Sequence, residues 1–278
     1  MKLFCSLFLS FFVIVILQAG APSSFREAKL KLKEMYRQLG KAYQKDFYCQ
    51  APFKITSSGL IVQDSDRFTP RATKQKKQKQ QKKRRKIKRC KRIEWEHIMP
   101  AQNFGQHFAC WREAKAKGID SRRYCEKTSP KFAQMEADLY NLVPAIGQIN
   151  GDRSNFRYAQ DTEGMTFGQY GKCQVKSDPA HKRFYPADYS KGFIARTYLY
   201  MSKKYHIPLS KQEYSLMRAW DKKISDDTTR KTDQIADLAP YGRGDCLLMI
   251  LIEEFLGVCR SVENQRSPLW GSLCEFVV

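Results

Sequence analysis

Residues 74–92, KQKKQKQQKKRRKIKRCKR, set the strongest limit on how this chain can fold. Thirteen of the nineteen side chains are Lys or Arg, and Ile87 and Cys90 are the only apolar ones. A segment of that kind cannot bury a core and is expected to be loosely extended at its start. Any folded body must therefore be built from the chain on either side of it. The net charge is +22, and setting the thirteen aside leaves +9, so the basic bias extends beyond the run. A field of that sign favours polyanions: nucleic acid, an anionic membrane surface or an acidic polysaccharide. On charge alone the run could equally be a solvated loop with no partner.

The first residues, MKLFCSLFLSFFVIVILQAGA, read as an export signal over 1–21, with Lys2, an apolar stretch from Leu3 to Leu17, and small residues before a cleavage after Ala19 or Ala21. An uncleaved anchor is the alternative, although the apolar stretch is near the short limit for spanning a bilayer. Export also argues against reading the basic run as a nuclear-import signal. Beyond the leader stand eight cysteines: Cys49, Cys90, Cys110, Cys125, Cys173, Cys246, Cys259 and Cys274. An even count in an exported chain, with no CxxC pair, points to disulfides rather than a thiolate metal site. Cys110 with Cys125 is the expected pair, closing a short loop.

The remainder, 22–278, reads as one domain of α+β class. Residues 26–44 carry Leu32, Met35, Tyr36, Leu39 and Tyr43 on one helical stripe. Residues 53–65 read as short strands around Ser58-Gly59, and 92–99, RIEWEHIM, as a strand leading into His97. Residues 131–145 are expected to be a helix after Ser129-Pro130, with Phe132, Met135, Leu139 and Leu142 in stripe. Further helices are expected over 189–205 and 210–223, the second with a Ser210/Glu213 capping box and with Leu216 and Trp220 on its buried side. From 224 the chain holds a short apolar run, LLMILIEEFLGVCR, too short to span a bilayer and expected to be a buried helix.

A polyanion-binding, exported, disulfide-rich chain raises the question of phosphodiester cleavage. That chemistry needs a base active near neutral pH, which histidine supplies with an unperturbed pKa near ~6.5. It also needs a hard cation held by oxygen ligands and a cationic clamp for the phosphate. Glu96-His97 offers an oxygen ligand and a base in adjacent positions. Successive side chains of a strand point to opposite faces, so the strand must end or twist there for both to reach one site. Alone, the pair is a weak signal, more often that of a satisfied core histidine. Asn150-Gly151 in AIGQINGDRSNFRY is by default a turn, yet an amide oxygen there suits magnesium beside a carboxylate. Asp152, Arg153 and Asn155 read as supporting or structural residues, and His107, His181 and His206 as surface or packing residues.

Taken together, EWEHIMPAQNFG (94–105), CWREAKAKGIDSRRYC (110–125), MEADLYNLVPAIGQINGDRSNFRY (135–158), QYGKC (169–173) and ARTYLYMSKKYHIPLSKQEYSLMRAWDKK (195–223) resemble the bacterial endonuclease I family, periplasmic or secreted nucleases of the ββα-metal (His-Me finger) type. The likeness runs from about Cys49 to about Lys223. It implies a disulfide-stapled mixed α/β fold in which two strands and a helix cradle one Mg²⁺. It implies His97 as general base, Glu96 and Asn150 as metal ligands, and Arg122 as the phosphate clamp, with Arg123 its rival. It further implies cleavage of DNA and RNA with little sequence preference, leaving 5′-phosphates, and inactivity in a reducing cytosol. Such an enzyme is expected to be a monomer in the periplasm or outside the cell, without a small-molecule cofactor or a stable membrane association.

Two regions depart from the family pattern: the basic run 74–92, which reads as an insertion, and the chain from 224 onward. Lys82, Lys83, Arg84, Arg85, Lys86 and Arg123 are the expected nucleic-acid contacts, gripping phosphates without reading bases. The competing readings are a non-catalytic nucleic-acid-binding protein with the same basic surface, and the same nuclease acting as a secreted effector. Binding alone would require none of Glu96, His97, Arg122 and Asn150.

Overall fold

A computed structural model describes residues 21–71 and 88–230, which form an α+β body. The export segment, Lys82, Lys83, Arg84, Arg85 and Lys86 of the basic run, and the expected tail helix lie outside the described residues. Helix α1 (Phe25–Leu39) is capped by the Ser24 hydroxyl, which accepts from the Glu27 amide, and it buries Ala28, Leu32, Met35 and Tyr36. It ends five residues short of the expected 44. Gly40 turns left-handed at φ 83°, a conformation that costs glycine no strain, and Tyr43 beyond it lies exposed in a separate 3-10 turn.

Strands β1 (Phe53–Thr56) and β2 (Gly59–Val62) form the expected hairpin. Ile61 bridges to Arg92 and so fastens the hairpin to β3 (Ile93–His97). Three short helices follow: α2 (Ala101–Gly105), α3 (Ala109–Ala116) and α4 (Ser121–Thr128). Cys110–Cys125 joins α3 to α4 as expected. Helix α5 (Pro130–Glu136) starts where expected, with the Ser129 hydroxyl accepting from the Phe132 amide.

The expected helix over 131–145 is wrong in its second half. It stops at Glu136, and Leu142–Ile146 form strand β4, antiparallel to β3 with His97 opposite Leu142 and Ile93 opposite Ile146. Two residues explain the break. The Asp138 carboxylate caps a fresh 3-10 turn at the Tyr140 amide. Pro144 has no N–H and its ring would clash with the preceding turn of a helix. All of β4 is buried, so its residues show no alternation, and a continuous apolar run is easily mistaken for helix.

Helix α6 (Gly147–Arg153) follows β4 directly, so Asn150-Gly151 is helical rather than a turn. Strands β5 (Arg157–Tyr158), β6 (Lys176–Asp178) and β7 (Arg183–Tyr185) form a small sheet in the order β5-β7-β6. Helices α7 (Asp188–Tyr205) and α8 (Lys211–Arg230) close the body against one another. Ser210 and Glu213 cap α8 as expected, with Trp220 and Met217 buried and Leu216 half-buried. Asp138 binds this layer to the β3–β4 pair by accepting from Tyr200 Oη, Tyr205 Oη and Lys204 Nζ. A second disulfide, Cys49–Cys173, spans 124 positions, while Cys90 is unpaired among the described residues.

Candidate active site

Strand β3 stops at His97 because Asn141 takes over its hydrogen bonds. The Asn141 carbonyl accepts from the Ile98 amide, and its side chain brackets Met99, accepting from the amide at 2.7 Å and donating to the carbonyl at 3.0 Å. The strand's end lets consecutive side chains share one site. Glu96 and His97 both line a cleft of about 310 Å³ together with Arg122 of α4 and Asn150 of α6. Four of the residues expected to act together are thus brought together. Arg123 does not line this cleft; it lies exposed, its amide capped by Asp120.

His97 is almost fully buried, and its Nε2 lies 2.8 Å from the carbonyl oxygen of Glu136. A carbonyl only accepts, so Nε2 carries the proton and Nδ1 keeps its lone pair. Nδ1 lies 3.5 Å from Arg122 Nη2. Burial, and then the Arg122 charge, push the His97 pKa down to about 3, so the ring is neutral across the ordinary pH range. Phe25 of α1 packs on the ring with centroids 4.8 Å apart and also lies 4.9 Å from the Arg122 guanidinium carbon.

Arg122 is tethered through Nε to Oε1 of Glu136. Glu136 is itself 1 % exposed, and burial raises its pKa. One residue therefore orients the imidazole through its backbone and the guanidinium through its side chain. The Arg122 side chain remains 41 % exposed, enough to meet a phosphate.

Glu96 is held from beneath. Tyr48 Oη donates to its Oε1 at 3.2 Å and Arg153 Nη1 at 3.0 Å, and Tyr48 is within 2.7 Å of Tyr158 Oη. Burial raises the Glu96 pKa to about 7, with Arg153 pulling the other way. Both hydrogen bonds fall on Oε1; Oε2 takes none among the described residues. The Asn150 amide side chain likewise makes no hydrogen bond among the described residues. A carboxylate oxygen and an amide oxygen facing one cleft suit a hard divalent cation.

Helix α6 is packed closely enough to fix Asn150. A methyl group at Gly147 would overlap Glu94 Oε1 and the Arg89 carbonyl, and one at Gly151 would overlap the Arg89 guanidinium. On another side Asp152 pairs with Arg71, through Nε at 2.6 Å and Nη2 at 2.5 Å, and accepts from Tyr170 Oη. Asn155 donates to Gln102. Asp152, Arg153 and Asn155 are thus each engaged by protein partners, and Arg153 and Asn155 also border the cleft. His181 pairs with Asp178 on the surface, and His206 closes α7 in a left-handed conformation.

Tyr48, Phe25 and Glu136 had no role assigned from sequence. Tyr48 adjoins a cysteine, which hints at a fixed backbone but not at a partner 48 positions away. Glu136 lay within a conspicuous motif, yet its position suggested only a turn of helix.

A family model described as Endonuclease I matches residues 24–232. The chain is 36 % identical over 224 residues to a periplasmic deoxyribonuclease of Aeromonas hydrophila, covering 80 % of this chain and 84 % of that protein. It is 35 % identical over 224 residues to an extracellular deoxyribonuclease of the same species, covering 80 % and 86 %. With Endonuclease-1 of Buchnera aphidicola subsp. Baizongia pistaciae it shares 46 % identity over 134 residues, covering 48 % of this chain and 52 % of the relative.

Proposed function

The chain belongs to the endonuclease I family, and from that premise we propose that it is an exported, Mg²⁺-dependent endonuclease that hydrolyses DNA, and RNA, without sequence preference. The β3–β4–α6 unit is read as a His-Me finger. His97 Nδ1 accepts the proton of the attacking water while Nε2–H stays fixed on the Glu136 carbonyl. Arg122 holds the scissile phosphate, with Glu136 and Phe25 limiting where its guanidinium can go. Glu96 and Asn150 would hold one Mg²⁺, which when bound neutralises charge on the phosphate and on the leaving 3′ oxygen. Cleavage on that side leaves the phosphate on the 5′ end.

The observation that carries this reading is the fixed tautomer of His97. A buried imidazole whose Nε2–H is anchored and whose Nδ1 faces a guanidinium is pre-set to accept a proton beside an anion. A purely structural histidine has no need of that arrangement. Indifference to sequence fits a surface that grips phosphates by charge. The basic run contributes to that grip, and its described flanks are fixed on the metal-bearing helix. Gln148 exchanges two hydrogen bonds with the Arg71 backbone, and Arg89 packs over Gly151. Action outside the cytoplasm is supported by the relatives named as periplasmic and extracellular deoxyribonucleases.

Plasmid cleavage by the oxidised protein tests the reading, with Mg²⁺ or EDTA, beside His97→Ala. Nicking that disappears with EDTA, and falls by about 10²–10⁴-fold in the variant, is the expected result. Retarded plasmid with no cleavage would establish the non-catalytic binding protein instead.

A further inference from the structure

Arg153 borders the cleft yet is only 1 % exposed, so its charge is almost wholly withdrawn from solvent. Its fork is divided among three acceptors at the end of β3: Nη1 donates to Glu96 Oε1 at 3.0 Å and to the His97 carbonyl at 2.9 Å, and Nη2 to the Ile98 carbonyl at 2.6 Å. The guanidinium carbon lies 4.6 Å from the Tyr158 ring centre. The tyrosine pair Tyr158–Tyr48 then returns to the same Glu96 oxygen from the other side. Arg153 is three residues after Asn150 on the same short helix.

We propose that Arg153 and Tyr48 are positioning residues that set the separation of the two metal-ligating oxygens, binding the helix that bears Asn150 to the strand end that bears Glu96. This rests on the reading of Glu96 and Asn150 as the metal pair. A buried arginine is costly unless its charge is matched. Both terminal nitrogens of Arg153 are matched, while its Nε finds no hydrogen-bond partner among the described residues. Lysine could not reach one carboxylate and two carbonyls from a single point charge. Holding Oε1 from two sides leaves Oε2 as the ligand atom with little rotational freedom. The cation then meets a carboxylate already in place, as outer partners do for metal ligands generally.

The test is divalent-ion binding by the oxidised full-length protein without nucleic acid, titrating MnCl₂ and following free Mn²⁺ by electron paramagnetic resonance, with thermal unfolding alongside. Tyr48→Phe keeps the ring packing and removes the hydroxyl donor; Arg153→Lys keeps the charge and removes the fork. Ile149→Val, on the buried side of the same helix, is the control for simple destabilisation. The proposal expects Kd for Mn²⁺ to rise about 10- to 100-fold in both positioning variants and to stay unchanged in Ile149→Val despite its lower Tm. If Arg153→Lys does not fold, Tyr48→Phe alone decides. Wild-type Kd in the folded positioning variants, with binding lost in Glu96→Gln, would overturn the proposal and leave the metal pair standing. Wild-type Kd in Glu96→Gln would overturn the metal pair, and the proposal with it.

Discussion

The two disulfides differ most in the length of chain they close, and that difference sets a stability order. Cys110–Cys125 spans 15 positions and Cys49–Cys173 spans 124. If a crosslink acts mainly by restricting the unfolded chain, removing the first costs about 3 kcal/mol at 25 °C and removing the second about 5 kcal/mol. All four cysteines are buried, so truncation to alanine leaves comparable voids and the comparison isolates loop closure. Cys110→Ala/Cys125→Ala and Cys49→Ala/Cys173→Ala would be unfolded in urea at matched pH, with ΔG extrapolated to water. Where both remain folded, their activity should fail differently. The first frees α4, which carries Arg122, and should raise KM for DNA. The second frees the segment holding Tyr48 and should raise the Mg²⁺ concentration that gives half-maximal cleavage. Equal losses of stability, or a larger loss for the short loop, would refute the loop-closure reasoning.

Three more outcomes follow from the site and its supports. Folded His97 protonates only near pH 3, whereas the unfolded chain does so near ~6.5. Between those values the unfolded state holds the extra proton, so this group's contribution to stability is intact above ~6.5 and declines as pH falls, by up to about 1.4 kcal/mol per unit. NMR of the metal-free protein should show no His97 titration near 6.5, and a midpoint there would refute the burial argument. Replacing Lys82, Lys83, Arg84, Arg85 and Lys86 with glutamine should raise KM and flatten its dependence on salt by up to about 4.5 in log–log slope; unchanged salt dependence would remove the run from DNA binding. Asp46 accepts from the amides of Tyr48, Cys49 and Ala51 inside the core, so Asp46→Ala should cost on the order of 3 kcal/mol in thermal unfolding, with part recovered in Asp46→Asn.

What could be read in the sequence was whatever neighbouring residues state about each other. Ser129-Pro130 as a helix start, Ser210 as a cap, the α1 stripe as far as Leu39 and the short Cys110–Cys125 loop are all local patterns, and the structure bears them out as elements and contacts. Glu96 beside His97 is local too, and both side chains line one cleft. Strand β4 was hidden because burial on both faces erases its alternation, and Pro144 was the one residue that spoke against a helix there. Tyr48 reaches Glu96 across 48 positions and Glu136 reaches His97 across 39. No period or spacing encodes such a relation; only the folded path does. Arg153 read as a supporting or structural residue, but which groups its charge meets came only with the fold.

Helix α6 is seven residues long and has something different to satisfy on each side. Gly147 and Gly151 lie against Arg89 and Glu94, Gln148 and Asp152 against Arg71, Ile149 and Arg153 in the core, and Asn150 in the cleft. Each residue turns the helix by about 100°. A single insertion or deletion there would therefore rotate every later side chain out of its place at once, whereas conservative exchanges disturb one side at a time. This stretch can drift by substitution but cannot change length, so indels should be tolerated in the flanking loops and be lethal to activity between Gly147 and Arg153.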